Sequence, residues 1–299
     1  PLGETCYAQN HRLWPAPADA FYDGEHAKPF KLRPALHASA SLASYDDIAL
    51  DSLLWPEIGE RKKKPDEPKM FWSDASMMAW LRGEEPQPLQ AYSPELQDNI
   101  HVTIDAQTQA AAASLMFSSQ VIEPMDKECH EWGIGLLGKH PEHLCLDSRT
   151  LLLGGRRRPA LKQSIDRDLF DAPKSFPDQS KGMRLILTTP AEFKQGMIPD
   201  GFSVIDGRYE GRCFDMDLIL RAALVQRPVY LSTWDMVRRA PRKTRSLVPA
   251  GSVYYVERKS GQAFTKKDFE QIWLQSIGMG QEEGLGLVLP GVWEGTKTP

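Results

Sequence analysis

The 299-residue chain is 41% hydrophobic, with 36 basic and 40 acidic side chains, a net charge of -4 and a mean hydropathy of -0.43. No apolar run approaches the roughly 18 residues of a membrane span, no signal pattern opens the chain, and four scattered cysteines (Cys6, Cys129, Cys145, Cys213) make no disulfide framework. The expectation is a cytoplasmic protein of about two domains whose mild acidity excludes polyanion binding over its whole surface.

Taken in chain order, the start Pro1-Leu2-Gly3 lacks a methionine, which reads as a fragment, a processed product or an incompletely ordered subunit. Residues 41–100 carry 12 acidic and 6 basic side chains and look like an insertion. Within them the basic run Arg61 to Lys64 reads as solvated, and a helix is expected through Met77, Met78 and Trp80. His101–Asp105 and Ser114–Phe117 resemble the two strands of a hairpin with the tip Ala106–Ala113, and Trp132–Leu137 another short strand. The apolar run Leu151–Leu153 ends in Gly154-Gly155 and Arg156, Arg157 and Arg158. A Pro-, Asp- and Lys-rich stretch from Asp166 to Lys181 is the expected boundary between halves.

The second half reads more sharply. Met183–Thr189 is a strand that stops at Pro190, and a Gly- and Pro-containing excursion runs from Lys194 to Arg212. Asp215–Val225 has helix formers, apolar residues at helical spacing and acids in its first turn, so a helix is expected there. Val229–Val237 and Gly251–Glu257 are strands; Thr265-Lys-Lys-Asp268 opens a helix as a capping box, with Phe269, Ile272, Trp273 and Ile277 along one side. A last strand runs from Leu285 to Trp293. The succession strand, helix, strand, strand, helix, strand is the split-βαβ, or ferredoxin-like, arrangement.

Between the last helix and last strand stand Gly278, Gly280, Gly284 and Gly286. A dinucleotide fingerprint needs its glycines after a strand and before a helix, so this order excludes it, and no P-loop sequence exists. Two readings remain open: a C-cap and turn that need bare backbone, or a backbone that lies against a phosphodiester chain. A separate pointer to phosphate contact is the charge nearby. Residues 234–267 carry 9 basic against 2 acidic side chains, and Arg238, Arg239, Arg242, Lys243 and Arg245 crowd into eight positions. Arginine suits phosphate by its bidentate fork and bases by stacking.

In this setting several colinear segments, WPAPAD (Trp14–Asp19), HVTID with SLMFSS (His101–Ser119), LLLGGRRR (Leu151–Arg158), RLILTTPAEFKQGMIPD (Arg184–Asp200), VPAGSVYYVE (Val248–Glu257) and the glycine segment, resemble the third Cmr subunits of type III-B CRISPR effector complexes, members of the RAMP superfamily. The resemblance runs from Trp14 to Trp293. It implies an α+β fold of two ferredoxin-like (βαββαβ) domains, residues 1–180 and 181–299. The first would hold the insertion at about 40–100 and the hairpin at about 101–117 and lack its opening strand and helix. It further implies a non-catalytic RNA-binding ribonucleoprotein subunit in antiviral defence. Its partners would be the 5′ tag of the CRISPR RNA, the large Palm-domain subunit and the first backbone subunit. By the same resemblance Gly278, Gly280, Gly284 and Gly286 would be backbone donors to the tag, and His101–Phe117 a thumb against guide RNA, with an alanine-rich tip.

Arg156 and Arg157 read equally as RNA contacts and as plain surface, and His101 joins the candidates through its hairpin. Cys129-His130, His140, His143 and Cys145 fit no zinc template, and no metal or cofactor is expected. Tyr254 and Tyr255 alternate faces of a strand and read first as core. The rival function is a metal-independent endoribonuclease that processes precursor CRISPR RNA. It needs a general base, and His11, His26 and His37 are the candidates by position, though none has an evident acid partner.

Overall fold

Alternating apolar residues in the second half of the chain build one six-stranded antiparallel sheet. In the computed structural model, its strands are β1 (Gly182–Leu187), β2 (Phe202–Ile205), β3 (Arg208–Cys213), β4 (Met216–Leu224), β5 (Val253–Arg258) and β6 (Val288–Trp293). They lie in the order β2-β3-β4-β5-β1-β6. The structure describes residues 12–23, 26–29, 32–34, 53–56, 70–105, 107–125, 131–136, 138, 150–153, 158–165 and 167–296. Contacts divide them into two units, Arg12–Ala91 with Asp171 onward, and Tyr92–Phe170. The described residues among 12–91 group by contact with those from Asp171 onward.

The predicted helix at Asp215–Val225 is strand β4, and this corrects the βαββαβ succession. Met216, Leu218, Leu220, Ala222 and Leu224 are all buried, a period of two that the helix-forming Leu and Ala content masked. Of the acids read as a first helical turn, Asp215 closes a tight hairpin and Asp217 lies in β4: Cys213 pairs with Met216, and Phe214 and Asp215 both take positive φ, 52° and 60°. A second two-residue turn, Asp206-Gly207, joins β2 to β3 inside the stretch read as an irregular excursion. The fold is α+β and sheet-rich, with two α-helices among the described residues.

The helix expected through Met77, Met78 and Trp80 is α1 (Asp74–Leu81), capped by the Ser73 hydroxyl accepting from the Ser76 N–H. Helix α2 (Lys266–Ile272) opens on Thr265, whose N–H and hydroxyl both donate to Asp268 Oδ2. Phe269 stacks on Phe176 at 5.2 Å, and Trp273 meets Trp14 edge-on at 5.8 Å. The second contact ties WPAPAD to the C-cap of α2. Tyr254 and Tyr255 are both core, as expected of a strand with two covered faces.

One polar knot fastens the early segment to the sheet. Asp19, wholly buried, accepts from Trp80 Nε1 at 2.9 Å, Arg184 Nη1 at 2.9 Å and the Tyr255 hydroxyl at 2.8 Å. Arg184 also donates to the carbonyls of Val292 and Trp80 and lies over the Trp80 ring. Every hydrogen-bonding arm of the buried ion pair therefore points at something, which is what makes the burial of charge tolerable.

In the unit Tyr92–Phe170, the expected hairpin is present and longer than read: Leu96–Ile104 pairs with Ala111–Ile122. Ile100, Val102, Ile104, Met116 and Ile122 are exposed. Thr150–Leu153 pairs with Arg158–Leu161. Residues 132–136 form no strand, correcting that expectation; only an isolated Met125–Glu131 bridge stands beside them.

Candidate nucleic-acid interface

The glycine segment links α2 to β6, and all four glycines are left-handed: φ is 81° at Gly278, 71° at Gly280, 79° at Gly284 and 75° at Gly286. Other residues adopt that conformation at a cost, so the backbone alone calls for glycine. Gly280 and Gly284 flank a single 3₁₀ turn, Gln281–Glu283. Close packing adds a second reason at two sites. A Cβ on Gly286 would stand 1.9 Å from the Ile277 carbonyl oxygen, and one on Gly278 would stand 2.4 Å from that of Glu192. Around Gly284 there is open space.

Amide accounting separates the four as donors. The Gly284 N–H donates to Gln281 O and the Gly286 N–H to Pro190 O, both inside the fold. Among the described residues the Gly278 and Gly280 N–H groups have no such acceptor.

The basic ribbon is a β-hairpin. Val229–Leu231 pairs with Arg245–Leu247, and Trp234–Asp235 with Ala240–Pro241 further out. Asp235 organises the outer turn: its Oδ1 accepts the N–H groups of Val237 and Arg238, the second holding its carboxyl below the ordinary aspartate value. Arg238, Arg239, Arg242 and Lys243 are exposed; Arg242 lies 3.9 Å from Asp235, and the other three make no ion pair among the described residues.

Arg245 differs from the rest of the ribbon. Its Nε and Nη2 reach Glu192 Oε2 at 2.7 and 2.6 Å, and its Nη1 reaches Glu283 Oε2 at 2.7 Å. The hydrogen bonds it donates to Glu192 first, then to Glu283, hold its guanidinium well above its ordinary pKa. A Cβ on Gly280 would stand 2.7 Å from Arg245 Nη2. The base of the cationic hairpin and the glycine loop therefore touch, and Arg245 braces one against the other. Sequence reasoning ranked Arg245 with the free cations because Glu192 and Glu283 lie 53 and 38 positions away.

The family's description, CRISPR-associated protein Cas_Cmr3, matches residues 2–293. The chain belongs to this Cmr3 family. It is thereby a CRISPR-associated subunit of the type III-B Cmr complex. No curated protein matches the chain. No helix is long and apolar enough to cross a membrane among the described residues.

Other predicted residues fall elsewhere. Arg156 and Arg157 lie outside the described residues, as do Cys129, His130, His140, His143 and Cys145; among the described residues no cluster could hold a metal. Arg158 begins an exposed strand end. His101 Nε2 is 3.1 Å from the Ser119 hydroxyl across its hairpin. His11 and His37 lie outside the described residues, as does the side chain of His26. Of the nine basic residues in 234–267, Arg258 is paired to Asp268 at 2.8 Å, Lys259 to Glu210 at 2.5 Å and Lys266 to Glu270 at 3.9 Å. The free charge of that region is thus concentrated on the hairpin.

Proposed function

We propose that this Cmr3-family subunit is a non-catalytic holder of CRISPR RNA, gripping the 5′ tag with the cationic hairpin and the glycine loop at its base. The observation that carries the reading is their junction at Arg245, 2.6–2.7 Å from Glu192 and Glu283. Arg238, Arg239, Arg242 and Lys243 supply the phosphate charge, while Gly278 and Gly280 offer backbone N–H groups in the loop that Arg245 braces. Arg245 acts as a brace and not as a phosphate ligand, since two carboxylates already neutralise it.

Its partners are, on this reading, the large Palm-domain subunit and the first backbone subunit, and its place is the cytoplasm. We also read the four strands β4-β5-β1-β6 as a ferredoxin-like core whose first crossover helix is replaced by a hairpin. Their chain order across the sheet, second, third, first, fourth, supports it.

The test is equilibrium binding of the purified chain to a short single-stranded RNA carrying a 5′ tag, over a salt series. Replacing Arg238, Arg239, Arg242 and Lys243 with alanine reduces the slope of log K against log salt by about 0.7 for each phosphate left without its cation. A slope equal to that of the unaltered chain refutes the assignment. Metal-free cleavage of repeat RNA by the same preparation overturns the non-catalytic reading.

A further inference from the structure

The hairpin carries more than charge. Tyr230 and Trp234 are 69% and 57% exposed, and neither side chain makes a hydrogen bond or ring contact among the described residues. Val229 and Leu231 are also exposed, at 46% and 37%, but the register sets Tyr230 apart from them. Val229 faces Leu247, which is buried, and Leu231 faces Arg245, which grips the glycine loop. Tyr230 lies between them, opposite Ser246, so strand alternation puts its ring on the other face. Trp234 opens the outer strand pair, opposite Pro241.

Both rings stand on an arm that is already ordered. Asp235 Oδ1 caps the outer turn, the Arg242 N–H donates to Thr233 O at 2.7 Å, and the Ser232 hydroxyl donates to the Arg242 carbonyl. Four exposed cations lie between the aromatic strand and its return: Arg238, Arg239, Arg242 and Lys243. The sole carboxylate between Val229 and Leu247 is Asp235, already engaged by two N–H groups and facing Arg242.

An exposed tryptophan and tyrosine on a rigid cationic arm match what single-stranded nucleic acid requires: flat apolar faces for unpaired bases and positive charge for the phosphates beside them. Duplex RNA offers phosphates but keeps its bases stacked within the helix. A protein interface would take up the same aromatics, and the exposed Met236 and Val237 with them, yet four cations against one carboxylate favour a polyanion.

We infer that Tyr230 and Trp234 form a base-stacking platform, so that the hairpin engages unpaired bases of the RNA as well as its phosphates. The inference rests on the RNA-holding reading above and adds to it a preference for single strands.

The experiment measures binding of the full chain to a fluorescein-labelled single-stranded RNA, to the same strand with abasic positions, and to its duplex. Trp234→Ala and Tyr230→Ala each weaken single-strand binding by about 5- to 150-fold, as expected for one stacked base. They leave the salt slope unchanged, and Trp234→Phe restores most of the loss. Abasic RNA binds the unaltered chain more weakly, and binds the double variant Tyr230→Ala/Trp234→Ala no worse than intact RNA does. Both rings are exposed, so the variants keep the parent melting temperature.

If both alanine variants bind the single strand like the parent while the four-cation variant binds weakly, stacking is overturned and the RNA-holding reading survives. If the parent binds no RNA, both fall. If Trp234→Ala keeps its RNA affinity but no longer co-purifies with the other Cmr subunits, the platform is a protein contact and the inference is wrong.

Discussion

Replacing Asp19 with alanine tests the claim that one buried carboxylate ties residues 12–91 to the sheet. Asp19 has no exposed surface, and Arg184 retains only 5% of its side-chain surface. The change leaves the Arg184 guanidinium buried with two carbonyl partners and no counter-charge. Breaking a buried pair from one side costs about 3–5 kcal/mol. Trp80 Nε1 and the Tyr255 hydroxyl lose their acceptor in the same step. Each orphaned donor costs about 1–3 kcal/mol taken alone, but the three losses share one site and do not add.

The expected destabilisation is therefore at least about 3 kcal/mol, a large share of the roughly 5–15 kcal/mol that holds a domain together. For a unit of about 200 residues it lowers the melting temperature by about 6–20 °C. Differential scanning calorimetry on the purified chain reads it directly. Asp19→Asn, which keeps the shape and an acceptor but removes the charge, should fall between the parent and Asp19→Ala. The double variant Asp19→Leu/Arg184→Met removes both charges and should recover much of the loss. An Asp19→Ala melting temperature within about 2 °C of the parent refutes the reasoning, since it would mean that the carboxylate is dispensable.

In the glycine loop, Gly284→Ala faces only the left-handed backbone cost of about 1–2 kcal/mol, because nothing lies within 4 Å of the added methyl. Gly286→Ala adds a collision at 1.9 Å with the Ile277 carbonyl, so it should melt several degrees lower than Gly284→Ala; equal melting temperatures would contradict the packing described. A pH series probes the α2 cap. Burial pushes the Asp268 carboxyl up, but hydrogen bonds from Thr265 and the Arg258 guanidinium outweigh it and leave its pKa below the ordinary value. A depressed carboxylate contributes stability above about pH 4 and loses it as pH falls through its folded value. The parent should therefore lose more stability between pH 5 and pH 3 than Asp268→Asn does, and parallel melting curves across that range would exclude the effect.

Much of this was legible in the order of residues alone. The strands around Leu185, Val256 and Leu289, the capping box at Thr265, the helix through Trp80 and the hairpin around His101 all announce themselves within a few positions, because their signals are local. The family resemblance was legible too, carried by segments in a fixed order. The β4 error shows where local reading stops. Its leucines and alanines favour a helix by a few tenths of a kcal/mol each, while pairing to β3 and β5 and burial of Met216, Leu218, Leu220, Ala222 and Leu224 across the two faces of the sheet favour a strand more strongly. The Asp206-Gly207 turn is a hairpin signal legible in the sequence. Nothing in the sequence could join Asp19 to Arg184, 165 positions on, or tell that Arg245 is neutralised by Glu192 and Glu283 while Arg238 and Arg239 stay free. Composition and periodicity determined which segments could become strands and where cations are plentiful. Tertiary structure alone decided which of those cations face solvent, because a charge is available only after every carboxylate that the fold brings within reach has been counted.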